Sequence, residues 1–117
     1  MIEYTVTTYT LYSITKFKMP YGTHSIAINR RIANENPTLN NNQAVRKFAI
    51  DHYKQNAGFN TIQANNRAAH KDAGHIVARN CGGQNKASNY MWEDRHDNRA
   101  HGDAKIKLSE QRKGGRR

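Results

Sequence analysis

The stretch Asp72-Ala73-Gly74-His75-Ile76-Val77-Ala78-Arg79 decides how this chain is read. It continues as Asn80-Cys81-Gly82-Gly83 and is closed by Asn89-Tyr90-Met91-Trp92 and Asp97-Asn98-Arg99. A histidine flanks a short apolar run, a glycine pair turns the chain, and two asparagines follow. The pattern predicts two short strands, residues 74–79 and 88–93, joined by the loop that holds Gly82 and Gly83. A helix is predicted over residues 95–110, carrying Ala100, Ala104, Ile106 and Leu108, with Gly102 as its weak point. That order puts a proton acceptor and an oxygen ligand on opposite walls of one phosphate-sized cleft.

Working outward, residues 2–17 are rich in Thr, Tyr and β-branched side chains and predict a strand, bent or paired. Met19-Pro20-Tyr21-Gly22 punctuates it. A second strand is predicted within residues 23–33, around Ile26 and Ile28, with Arg30 and Arg31 at its end. After an asparagine-rich loop, residues 43–55 predict a helix capped by Asn41 or Asn42. Val45, Phe48, Ala49 and His52 or Tyr53 share one face of it, and Gly58 stops it. A short strand is expected near residues 60–64. The tail Gln111-Arg112-Lys113-Gly114-Gly115-Arg116-Arg117 is basic and poor in apolar residues, and mobility is expected of it. The expected fold is α+β: one domain over residues 1–117, with a strand-strand-helix core in 72–110 and an N-terminal strand/helix extension.

A chain of 117 residues fits one domain with a modest core. Nineteen Lys and Arg face nine acidic residues, a formal charge of +10. This suits a polyanion, with nucleic acid ahead of an anionic membrane. Charge of this kind gives affinity for phosphates and specifies neither chemistry nor sequence. The lone Cys81 excludes an intramolecular disulfide and a Cys-rich zinc site. The start Met1-Ile2-Glu3-Tyr4-Thr5 has neither a basic n-region nor an apolar run, so no signal peptide and an intracellular location are expected. No run is apolar enough to cross a bilayer, and no membrane partner is expected. The six histidines are scattered, and His70, His96 and His101 match no zinc spacing.

Asp72-Ala73-Gly74-His75-Ile76, Gly82-Gly83, Asn89 and Asn98-Arg99 together resemble the ββα-metal (HNH-type) nuclease core. They look like the signature of the DNA/RNA non-specific endonuclease family, and in HNH terms like a His-Asn-Asn variant. The likeness covers about a third of the chain and nothing in residues 1–60. It implies a phosphodiester hydrolase with little sequence preference, acting on DNA, RNA or both. By this resemblance His75 is the general base, Asn98 holds Mg²⁺ (or Mn²⁺), and Asn89 braces the loop or orients His75. Asp72 tunes the site or approaches the metal's water shell.

The chemistry agrees with these residue types. Imidazole can take a proton from water near neutral pH. A hard oxygen ligand such as an asparagine amide suits Mg²⁺, which keeps most of its waters. Arg79 and Arg99, and less directly Arg67, are candidate phosphate clamps, because guanidinium matches phosphate in two-point geometry. Lys105, Arg112 and Lys113 extend the basic surface.

Blander readings stand beside these. Asn98 also fits an ordinary helix-start cap, Gly82-Gly83 a simple turn, and Tyr90 and Trp92 packing rather than base stacking. Asn89 is followed by Tyr-Met-Trp-Glu-Asp where the family carries Pro-Gln, and Asp103 is out of register with its helix carboxylate. These departures motivate a second reading: a non-catalytic nucleic-acid-binding or packaging protein on a nuclease-like scaffold. A nuclease without a secretion signal endangers its own cell, so an inhibitor protein and a viral or phage origin both fit. A homodimer would suit double-strand cutting.

Overall fold

The computed structural model describes residues 21–116. The strand expected at residues 2–17 lies outside them. Helix α1 spans Gly22–Glu35, α2 Asn42–Asn56 and α3 Thr61–Ala68. Strands β1 (Lys71–His75) and β2 (Tyr90–Asp94) follow, then α4 (Arg95–His101) and α5 (Leu108–Lys113). The architecture is α+β: among the described residues, five helices around a two-stranded antiparallel sheet.

The strand expected in residues 23–33 is a helix instead. Ser25, Ile28, Asn29 and Ile32 are its buried positions, a three-four spacing that outweighs the local alternation of Ile26 and Ile28. The predicted second helix is present as α2. Asn41 Oδ1 accepts from Ala44 N at 2.8 Å, and Val45, Ala49, His52 and Tyr53 are buried. The strand expected near residues 60–64 is also a helix, α3. Asn60 Oδ1 accepts from Gln63 N, while Gln63 Oε1 accepts from Asn60 N. This reciprocal cap starts the helix whose inner face is Ala64 and Ala68.

The sheet register pairs Lys71 with Asp94, Asp72 with Glu93, Ala73 with Trp92, Gly74 with Met91 and His75 with Tyr90. The first strand therefore lies earlier than the predicted 74–79. Past Ile76, whose N–H still reaches Asn89 O at 2.8 Å, the chain enters a 3-10 turn at Arg79–Cys81. Alternation gives the sheet two faces. Ala73, Tyr90 and Trp92 join Ile28, Ile32, Val45 and Tyr53 in the larger core cluster. Met91 lies on the other face with Tyr21, Ile76 and Ile106. Trp92 is fully buried, and its indole N–H donates to Tyr53 Oη at 3.0 Å.

The outer edge of β2 is met by a side chain. Asn29 Oδ1 accepts from Trp92 N (2.7 Å), and Asn29 Nδ2 donates to Trp92 O (3.1 Å) and to Gly114 O (2.6 Å). The single helix predicted for residues 95–110 is two. Gly102 takes φ +54°, and Ile106 N donates to Ile76 O (3.0 Å), which pins the connecting segment beside the end of β1. Residues 111–116 make hydrogen bonds to the rest of the fold. Gln111 is buried and donates to Ile106 O (2.8 Å), and Arg116 Nη2 donates to Ser88 O (2.7 Å). Polar side chains bonded to backbone carbonyls anchor a segment that has little apolar surface of its own.

Candidate active site

His75 ends β1, half-buried, with its ring 4.9 Å from that of its register partner Tyr90 and tilted by 59°. Its Nε2 lies 2.8 Å from Asn85 Oδ1. An amide oxygen only accepts, so Nε2 carries the ring proton and Nδ1 is left with the lone pair of a base. Asn85 comes from the loop between the strands, and nothing in the sequence pattern singled it out.

Asn89 holds that loop closed. Its Oδ1 accepts from Val77 N (2.9 Å), while its Nδ2 donates to Val77 O (3.0 Å) and Gln84 O (2.9 Å). All its bonds run to backbone, so it braces the loop that presents Asn85. The glycine pair allows the turn. Gly82 takes φ +90°, and a Cβ on Gly83 would come within 1.7 Å of Val77 O.

Asp72 faces α4. Asn98 Nδ2 donates to Asp72 Oδ2 at 3.1 Å, and three arginines surround the carboxylate: Arg95 at 3.4 Å, Arg46 at 3.8 Å and Arg99 at 3.8 Å. Arg46 also donates to Ala68 O and Lys71 O and lies over the Trp92 ring. It is therefore a built part of the site. With its Nδ2 fixed on Asp72, Asn98 leaves Oδ1 as an oxygen donor that takes no hydrogen bond among the described residues.

A cavity of 330 Å³ is lined by Gly74, His75, Arg79, Asn98, His101 and Asp103, among others. An adjoining one of 440 Å³ shares Asn42, Ala73 and Asn98 and adds Arg46, Asp72 and Arg99. His75, Arg79 and Asn98 thus line one cavity and Asp72, Asn98 and Arg99 the adjoining one, while Asn89 lines neither. The remaining predicted phosphate contacts lie elsewhere. Arg67 sits over the Phe59 ring beside His70, Lys105 and Lys113 line separate cavities near Glu110, and Arg112 is exposed.

Gly74 is required by what packs against it. A Cβ there would lie 2.0 Å from Glu93 Oε1 and 3.0 Å from Asn98 Oδ1. Those two oxygens are therefore no further apart than the sum of those distances. Glu93 is fully buried, and His101 Nε2 lies 3.0 Å and 3.2 Å from its two carboxylate oxygens. Glu110 approaches the same pair, held by the Tyr21 hydroxyl, which donates to its Oε2 at 2.5 Å. Burial, reinforced by the neighbouring Glu110 carboxylate, pushes Glu93 up to about 10. Nothing in the sequence pattern singled out Glu93, which packs beneath side chains of α4 and α5.

The described residues fit a hard divalent cation at Asn98 in donor type, through a free amide oxygen facing a polar cleft. Among them, no helix is long and apolar enough to cross a membrane. Comparison of the chain with family models, with curated proteins and with solved structures finds no match.

Proposed function

We propose that this chain is a metal-dependent endonuclease of the ββα-metal type, hydrolysing phosphodiester bonds in DNA, RNA or both. The observation that carries the reading is the single cleft lined by His75, Asn98 and Arg79. His75 Nδ1 takes a proton from a water as that water's oxygen attacks phosphorus, and the bond to the 3′ oxygen breaks. Asn85 holds the imidazole in the tautomer this requires, and Asn89 holds the loop that carries Asn85. Arg79 and Arg99 grip non-bridging phosphate oxygens on either side of Asn98. Asp72 fixes the Asn98 amide so that its oxygen is offered to the cation. Bound Mg²⁺ or Mn²⁺ supplies Lewis-acid polarisation of the phosphate and charge neutralisation. The +10 charge supports binding to phosphates with little sequence preference and a steep dependence on salt.

The test is cleavage of supercoiled plasmid and of single-stranded RNA with Mg²⁺, Mn²⁺ or EDTA. The expected result is metal-dependent cutting that falls at least about 100-fold in His75→Ala, with binding retained. Cutting by His75→Ala at the wild-type rate sinks the assignment. Binding without cleavage under any metal supports instead a nucleic-acid-binding protein on a nuclease-like scaffold.

A further inference from the structure

We infer that Glu93, His101 and Glu110 form a second cation site beside the cleft, suited to a divalent ion of the zinc class. One donor atom from each lies within 4.8 Å of the others, and the three come from β2, α4 and α5. The orientation of His101 is set from outside the cluster. His101 Nδ1 is 3.1 Å from Gly102 O, a carbonyl that only accepts, so the ring proton sits on Nδ1. Nε2 of the neutral ring then presents a lone pair to two carboxylate oxygens at 3.0 and 3.2 Å. Two facing acceptors need a positive charge between them: the proton that Glu93 keeps in the metal-free chain, or a metal ion that displaces it. A backbone carbonyl fixing the tautomer of a ligating histidine is the usual outer partner of a metal-bound imidazole.

The distances suit a metal. Bond lengths of about 2.1 Å at a tetrahedral angle put two donor atoms about 3.4 Å apart. The His101–Glu93 separations of 3.0 and 3.2 Å lie within a few tenths of an ångström of that, and a Glu110 oxygen lies within 4.8 Å of both. Among the described residues no lysine or arginine pairs with Glu93 or Glu110, whereas Asp72 has three such partners. Imidazole with two carboxylates is a zinc-type donor set; a magnesium site would favour oxygen alone. Access is open, since His101 lines both the 330 Å³ cleft and a cavity of 410 Å³ that reaches Glu110. Joining β2, α4 and α5, the ion would lock the C-terminal helices onto the sheet.

The inference does not depend on the nuclease reading, and its test does not use cleavage. The full chain, stripped with EDTA, is titrated with Zn²⁺ by calorimetry and with Co²⁺ by visible absorption. The expected result is a Co²⁺ band that Zn²⁺ abolishes, together with a metal-induced rise in Tm. Glu110→Gln and His101→Gln should each weaken binding at least about tenfold, while Asn98→Ala keeps it. In the wild-type chain, whatever the folding of the variants, Co²⁺ should shift the ring-proton resonances of His101. Absence of Zn²⁺ and Co²⁺ binding, wild-type affinity in either ligand variant, or an unmoved His101 signal overturns the proposal. A shared proton between His101 and Glu93 then fills the gap.

Discussion

Asp72 and Glu93 are register partners on the same face of the sheet, yet they live in opposite surroundings. Asp72 is half-buried among Arg46, Arg95 and Arg99 and has an amide to orient. Glu93 is fully buried and meets one imidazole and a second carboxylate. One position along a strand pair is thus compensated by fixed cations, and its neighbour across the ladder is left wanting a mobile one. Strand position alone does not determine the role of a carboxylate; the helices laid over it do.

Gly74 separates these two environments, and the largest expected effect is there. Gly74→Ala drives a methyl group into the Glu93 carboxylate, which has no solvent to retreat into, and should destabilise the fold by about 2–3 kcal/mol. Chemical denaturation measures this, and a loss under about 0.5 kcal/mol would mean that Glu93 moves freely.

Next in size is a pH effect. With its carboxyl raised to about 10 in the fold, Glu93 keeps a proton that the unfolded chain releases above the ordinary glutamate range. The unfolded state then binds fewer protons, so this contribution is full at low pH and declines as pH rises toward 10. The slope reaches at most about 1.4 kcal/mol per pH unit. In EDTA, Glu93→Gln should therefore gain on the wild type as pH is raised from 5 to 8. Parallel stability profiles for the two proteins would show that His101, not a proton on Glu93, carries the charge.

The smallest effect belongs to the compensated partner. Asp72→Asn should cost about 1 kcal/mol, because Arg95 and Arg99 are open to solvent. It should nevertheless lower cleavage more than stability, by releasing the Asn98 amide. Cleavage unchanged in this variant would remove Asp72 from the site.

The centre of the molecule was legible because two signals coincide there: glycines where backbone must turn or approach closely, and polar residues at fixed offsets from them. His75 and Asn89 fall at one end of the sheet, while Asp72 lies toward the other end, where it meets Asn98. The helices before it were harder. Ile26 and Ile28 alternate like a strand, and only Ser25, Ile28, Asn29 and Ile32 taken together reveal the helix period. The cap formed by Asn60 and Gln63 was a readable helix start that outranks a short apolar pattern. Glu93, His101, Arg46 and Asn85 were not legible as site residues, because what places them is packing between elements distant in sequence.

Asn29 has one more consequence. A two-stranded sheet ordinarily leaves open edges on which another extended chain can add. On β2 the midpoint of that edge, at Trp92, is already occupied by an amide that imitates a passing peptide group, accepting from the N–H and donating to the carbonyl. A side chain has one amide and no continuation, so it saturates the edge without templating further growth. A single residue of the first described helix thereby guards this edge of β2.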